Sequence, residues 1–213
     1  MRLNNPLDTV FDNGIKIRIL RIFCQTNVEL NGRQVAREVK VTPRTAHRVL
    51  QELTDEGVLF MKNVGRTYLF ELNKESFFVK DVLKEIFEIE RKAANKIFEI
   101  ILETIKRAPI KDDIVSVALF GSVHEKSDRP GSDIDLFVLI KDGATRHKVE
   151  KFFEDIDART APLFGNIISA YVNSTAEFRK KAREKLPVIE GILGSHRLLY
   201  GAPLKESLND KEI

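Results

Sequence analysis

The sequence predicts an α+β protein in which two dissimilar parts are joined by a long helix. Three observations lead there. Residues 12 to 57 carry three short amphipathic helical patterns that run into a β-hairpin pattern, residues 76 to 107 contain neither Gly nor Pro, and residues 113 to 140 hold two apolar runs around a polar loop. The expected organisation is a helical module with a hairpin over residues 1 to 75, a linking helix over 76 to 107, and a domain with a mixed sheet flanked by helices over 108 to 213.

In the first part, Ile15, Ile19, Ile22 and Phe23 recur at spacings of three and four, which marks one face of a helix of about three turns. A second pattern places Val35, Ala36 and Val39 on one side. Thr42 is suited to cap a third helix and Pro43 to enter its first turn, where no amide donor is needed. That helix has Ala46, Val49, Leu50 and Leu53 as its buried stripe, so Arg44, Thr45, His47, Arg48 and Gln51 project outward, and Gly57 ends it. The following "VLFMKNVGRTYLFEL" reads as two strands around a tip of Lys62, Asn63, Val64, Gly65 and Arg66, with Gly65 supplying the backbone freedom of the turn.

Three helices and a basic-tipped hairpin resemble the winged helix-turn-helix of bacterial and archaeal transcription regulators, over about residues 12 to 73. The resemblance implies that the third helix enters the DNA major groove while the wing touches the adjacent backbone. Arg44, Arg48, Lys62 and Arg66 are then expected at phosphates, and Thr45, His47 and Gln51 at base edges. The competing reading is a module that mediates protein contacts alone.

From Ser76 to Arg107, Val79, Val82, Ile86, Ile89, Ala93, Ile97, Ile100 and Ile101 recur at helical spacing. A helix of this length reaches about 45 Å. The stripe is close to a coiled-coil seam before Lys96 interrupts it, so the expectation is a homodimer, which would match the two-fold symmetry of operators. The alternative packs the stripe along the C-terminal domain.

Beyond the helix, Asp113 to Phe120 is a continuous apolar run, as expected of a strand buried on both faces. Gly121 and Ser122 follow, then a loop ending in Pro130, Gly131 and Ser132, then the strand "DIDLFVLI". Strand alternation points Asp133 and Asp135 to one side, about 7 Å apart, where they repel unless a cation lies between them. Magnesium is the common remedy, since it takes oxygen ligands and keeps positions open for phosphate oxygens. Gly121 permits close approach of a phosphate, and the Ser122 amide and hydroxyl can donate to it.

This segment resembles the minimal, polymerase-β-like nucleotidyltransferase fold over about residues 112 to 203, and "GILGSHRLLYG" looks like the last helix and turn of such domains. Gly121, Ser122, Asp133 and Asp135 match the family signature, including the eleven positions from Ser122 to Asp133. The resemblance implies Asp133 and Asp135 as catalytic metal ligands, Gly121, Ser122 and Ser132 as nucleotide-binding residues, and magnesium with a nucleoside triphosphate as ligand or substrate. The reaction it implies is in-line displacement of pyrophosphate by a hydroxyl across two magnesium ions. A third carboxylate on a later strand normally completes that site. Here the expected strand is "GNIISAYVNS", which contains no Asp or Glu. Asp155 and Asp157 read as solvated helix residues, and Glu177 as the capping-box partner of Ser174. Glu125 also stands where the family commonly has a basic residue, partly offset by Lys126 and Arg129.

Composition narrows the setting. With 43% hydrophobic and 31% charged residues, the chain is of the soluble globular class. No apolar run approaches the roughly 18 to 20 residues of a membrane span, and the N-terminus lacks the apolar core of a signal peptide, so a cytoplasmic protein is expected. Cys24 is the single cysteine and reads as a packing residue. Residues 1 to 75 hold 12 Lys+Arg against 9 Asp+Glu, which accounts for the whole net charge of +3. Together these readings favour a DNA-binding transcriptional regulator whose nucleotidyltransferase-like domain binds nucleotide and magnesium, or a partner, with weak or no catalysis. The rivals are an active enzyme transferring NMP from NTP to a protein, RNA or small-molecule hydroxyl, and an antitoxin-type nucleotidyltransferase whose partner is a toxin.

Overall fold

The computed structural model describes residues 4 to 208. Two compact units, Met1–Ala93 and Ala94–Ile213, divide the chain inside a helix.

The first unit opens with a short helix α1 (Leu7–Val10) that the periodicity did not reveal, followed by α2 (Gly14–Thr26), a two-residue strand β1 (Leu30–Asn31), α3 (Gly32–Glu38) and α4 (Pro43–Asp55). Caps set the helix starts. The Asn13 side chain accepts the amides of Ile15 and Lys16, Asn31 and Gln34 form a capping box on α3, and Thr42 accepts the amide of Thr45. Then come β2 (Leu59–Val64) and β3 (Thr67–Leu72), paired antiparallel from Leu59 opposite Leu72 to Val64 opposite Thr67. The turn is therefore only Gly65–Arg66, two residues where the sequence suggested five, because Lys62, Asn63 and Val64 extend the ladder. Gly65 takes a left-handed φ of 62° there. β1 pairs with β3, giving a small sheet ordered β1-β3-β2.

Ala46, Val49, Leu50 and Leu53 are buried, as their spacing required, against Ile19, Leu20, Phe23, Val35, Ala36 and Phe70. Burial has pushed the Cys24 thiol up to about 12, so it remains protonated and inert. Lys16 is an unexpected core member. Only 3% exposed, its ammonium donates to the Thr9 carbonyl at 2.7 Å and Asp12 at 3.0 Å, with Glu52 and Glu56 at 3.4 and 3.6 Å.

The linking helix begins with a π-helical turn (Val79–Leu83) and continues as α5 (Lys84–Arg107). Of the expected stripe, Val79, Ile97 and Ile101 are buried, while its other members are not. Val79, Leu83 and Phe87 enter the first core, and Ile97, Phe98, Ile101 and Ile105 the second, whereas Ile86 and Ile89 are exposed. Leu83 and Phe87 in the first unit and Phe98 and Ile105 in the second carry packing that the expected stripe did not include.

The second unit is built on a mixed sheet ordered β6-β5-β4-β7. β4 (Ile114–Phe120) leads through the short helix α6 (Gly121–Glu125) and a loop to β5 (Ile134–Ile140), its antiparallel neighbour. After α7 (Arg146–Phe164), β6 (Ile168–Ser174) pairs parallel to β5. α8 (Thr175–Arg183) and α9 (Pro187–Gly194) follow, and β7 (Arg197–Gly201) closes the other edge antiparallel to β4. The "last helix and turn" of the sequence reading is thus a helix and an edge strand. One sheet face carries Leu136, Val138, Val117 and Leu119 beneath α7 and the second half of α5; the other carries Phe137, Leu139 and Ala118 beneath Phe178, Ile189, Ile192 and Leu204. Both faces are covered, so β4 and β5 are apolar except for Ser116, whose hydroxyl donates to the Ala202 carbonyl, and Asp135.

Candidate nucleotide site and nucleic-acid interface

At one end of the mixed sheet, β4 stops and β5 starts. Phe120, the last residue of β4, is opposite Asp135, so the next residue, Gly121, lies over that aspartate. Gly121 has a left-handed φ of 71°, and a Cβ there would come within 2.2 Å of Asp135 Oδ2. Glycine is needed at this point both for the turn and for the carboxylate beneath it. Asp135 shares its side of β5 with Phe137 and Leu139 and is half-buried, whereas Asp133, just before the strand, is exposed. Burial, then the charge of Asp133, hold the Asp135 carboxyl above the usual aspartate range. A half-buried carboxylate with a second one two residues before it, beside a cradle kept open by glycine, has the oxygen donors that suit a hard cation such as magnesium.

Ser122 is half-buried at the start of α6, where its carbonyl accepts the amide of Ser127 at 3.0 Å. Ser132 holds the loop: its hydroxyl accepts the Arg129 amide at 2.9 Å, and its carbonyl accepts Asn166 Nδ2 at 2.9 Å. His124, in α6, lies 3.1 Å from the Ser195 hydroxyl.

The parallel register sets Ser169 level with Asp135, Tyr171 with Phe137 and Asn173 with Leu139. No carboxylate occurs on β6. Nor do the described residues contain a group of three or more His, Cys, Asp or Glu able to hold a metal. The nearby acids have structural duties. Asp157, which the sequence suggested was merely solvated, accepts the Ile168 amide at 2.7 Å and fixes the start of β6. Glu177 forms the expected capping box with Ser174 and an ion pair with Arg146, while Asp155 is exposed.

In the first unit, the outward residues of α4 separate into two groups. Arg44 is exposed and in no ion pair among the described residues, and Thr45 shares a hydroxyl contact of 2.9 Å with Thr42. Further along, Arg48 is bonded to Glu52 at 2.7 Å and Gln51 to Asp55 at 2.8 Å. His47 turns to the hairpin, edge-on to Tyr68 and Phe70 at ring separations of 6.4 and 6.3 Å. Lys62 lies between Glu29 at 2.9 Å and Glu71 at 2.5 Å, which hold its ammonium above its ordinary value, while Arg66 stands on the exposed turn.

A family model for the polymerase beta nucleotidyltransferase matches residues 99–200, and a model for the winged helix-turn-helix DNA-binding domain matches residues 12–59. The chain joins a winged helix-turn-helix to a nucleotidyltransferase domain. No curated protein matches it. Among solved structures, HlyU from Vibrio cholerae is 17% identical, covering 42% of this chain and 97% of that one, with a TM-score of 0.36. The homodimeric winged helix-turn-helix DNA-binding domain from Mycobacterium bovis, described as a possible ArsR-family transcriptional regulator, is 18% identical over 43% of this chain and 77% of that one, with a TM-score of 0.33. A toxin-antitoxin structure with AMP-PNP is 16% identical over 52% of this chain and 78% of that one, with a TM-score of 0.35.

In the winged helix-turn-helix, the sequence reading missed the residues that meet the wing from α3. Asn31, Arg33 and Tyr68 line a common cleft with His47 and Arg66. The β1-β3 pairing that brings them together involves two residues, too few for a periodic signal. In the nucleotidyltransferase domain, the absence of a β6 carboxylate was legible, but its significance at Ser169 depends on the register. No helix among the described residues is long and apolar enough to cross a membrane.

Proposed function

We propose that this protein is a transcriptional regulator that binds DNA through its winged helix-turn-helix, and that its nucleotidyltransferase domain binds a nucleoside triphosphate with one magnesium ion, or a protein partner, with weak or no transfer. The observation that carries this reading is the pairing of Asp135 with Ser169 on a strand without acid. Asp133 and Asp135 can hold one cation and the phosphates attached to it. A two-metal displacement needs another carboxylate to share the second ion and activate the attacking hydroxyl. Losing it costs on the order of several kcal/mol of transition-state stabilisation, and each 1.36 kcal/mol is about tenfold in rate. Binding survives such a loss far better than turnover. The regulator acts as a homodimer, with the exposed Ile86 and Ile89 in its seam.

Calorimetric titration with ATP and magnesium tests the nucleotide-binding reading. Binding that needs magnesium and is lost in Asp133→Ala is expected; no binding of any nucleoside triphosphate leaves partner binding as the domain's role. Incubation with radiolabelled ATP or CTP and cell extract tests the rival enzyme reading, which requires label transfer that Asp133→Ala abolishes.

A further inference from the structure

Positive charge in the N-terminal unit is distributed differently from the sequence. Arg48 and Lys62 are both committed to carboxylates, at 2.7 Å for Arg48 and at 2.9 and 2.5 Å for Lys62. Arg33 and Arg66 make no ion pair among the described residues, and both line a cleft of about 460 Å³ formed by the starts of α3 and α4 and by the hairpin. His47 and Tyr68 also line it, and no carboxylate does. Its open mouth lies between the helix expected in the major groove and the wing.

We propose that this cleft seats a phosphodiester group of the DNA strand passing between α4 and the wing, gripped by Arg33 and Arg66, with the Tyr68 hydroxyl as a further donor. The guanidinium fork matches two phosphate oxygens, and an arginine already free of carboxylates loses no partner on binding. His47, edge-on to Tyr68 and Phe70, belongs to this seat rather than to base reading. The contact surface thereby moves toward the N-terminal end of α4, leaving base edges to Thr45 and the remaining backbone contact to Arg44. The ligand is a polymer phosphate: one cation lines the cleft from the start of α3 and the other from the wing turn, the two sides between which a strand lying on α4 and the wing would pass. The proposal rests on the DNA-binding reading of the module.

The test is fluorescence anisotropy of the full chain with a labelled duplex between about 50 and 200 mM salt, where each lost phosphate contact lowers the slope of log affinity against log salt by about 0.9. Arg33→Gln and Arg66→Gln should each lower the slope by about that much and weaken binding roughly three- to tenfold at low salt. Lys148→Gln, on α7 outside the winged helix-turn-helix, should leave the slope unchanged. The seat is overturned if Arg33→Gln and Arg66→Gln keep the wild-type slope while the wild type binds duplex. Wild type that binds no duplex at low salt overturns the DNA-binding reading itself. Displacement of duplex by millimolar AMP, dependent on Arg33 and Arg66, would identify a small-nucleotide site and overturn the polymer seat; no displacement is expected.

Discussion

Ser169 stands level with Asp135 across the parallel β5–β6 pair, on a strand with no acidic residue. The neighbouring acids Asp157 and Glu177 are engaged by the Ile168 amide and by the α8 cap. The sheet end therefore offers two carboxylates from one strand and a hydroxyl from the next, which suits holding a magnesium-bound phosphate better than deprotonating an acceptor.

The fit of Gly121 over Asp135 leads to a sharp expectation for Gly121→Ala. The added Cβ, within 2.2 Å of Asp135 Oδ2, must displace the carboxylate, and the left-handed backbone adds strain. Magnesium-dependent ATP binding, followed by calorimetry, should weaken at least about tenfold, a loss of about 1.4 kcal/mol. Unchanged affinity would show that Asp135 contributes nothing to the site.

Asp135 is held above the ordinary aspartate range by burial and by Asp133, so the metal-free folded protein binds its proton more readily than the unfolded chain does. Stability linked to this group is present at low pH and is lost as pH rises through the folded-state value. Asp135→Asn should accordingly raise the melting temperature of the metal-free protein at pH 7, by roughly 1 to 3 °C after allowance for solvent screening, with the difference shrinking in acid. Magnesium should stabilise the wild type and not the variant.

Lys16 connects α1, α2 and α4 through the Thr9 carbonyl, Asp12, Glu52 and Glu56. Burial opposes its charge, but these acids outweigh it and hold the ammonium above its ordinary value. Its stabilising contribution is therefore present across neutral pH and disappears only as strong base passes the raised value. Lys16→Met leaves Asp12 and Glu56 without their cation, while Glu52 keeps Arg48, and should cost about 2 to 4 kcal/mol in denaturant unfolding. A cost under about 0.5 kcal/mol would mean that solvent already satisfies those acids.

Ile89 is 56% exposed, with Ile86 one turn away on the same helix. As the seam of a homodimer, this face should give a two-chain species in equilibrium ultracentrifugation at tens of micromolar, and Ile89→Glu should convert it to monomer with little loss of helix signal. Monomer alone in the wild type at that concentration would remove the dimer.

Local chemistry made much of the fold legible. Thr42 and Pro43 announced α4, Ser174 with Glu177 announced α8, and apolar continuity marked β4 and β5, because each signal lies within a few residues of the structure it specifies. The stripe read for the linking helix held at Val79, Ile97 and Ile101 and failed at Ile86 and Ile89, where Leu83 and Phe87 carry the packing instead. At the interface, Arg48 and Lys62 looked like free cations because their carboxylates come from a helical turn away or from other elements. The cleft beside His47 depends on the pairing of β1 with β3, and the meaning of Ser169 on the β5–β6 register; both are set by tertiary contacts with no local pattern.

The most direct measurement is single-turnover transfer of label from radiolabelled ATP to cell-extract acceptors, comparing wild type with Ser169→Asp under saturating magnesium. Bound ATP with transfer near the blank for wild type, and a rise of at least about tenfold when the aspartate is supplied, is the predicted result. Rapid transfer by the wild type, abolished in Asp135→Ala and unimproved in Ser169→Asp, would contradict it, because the site would then be catalytically complete without an acid on β6.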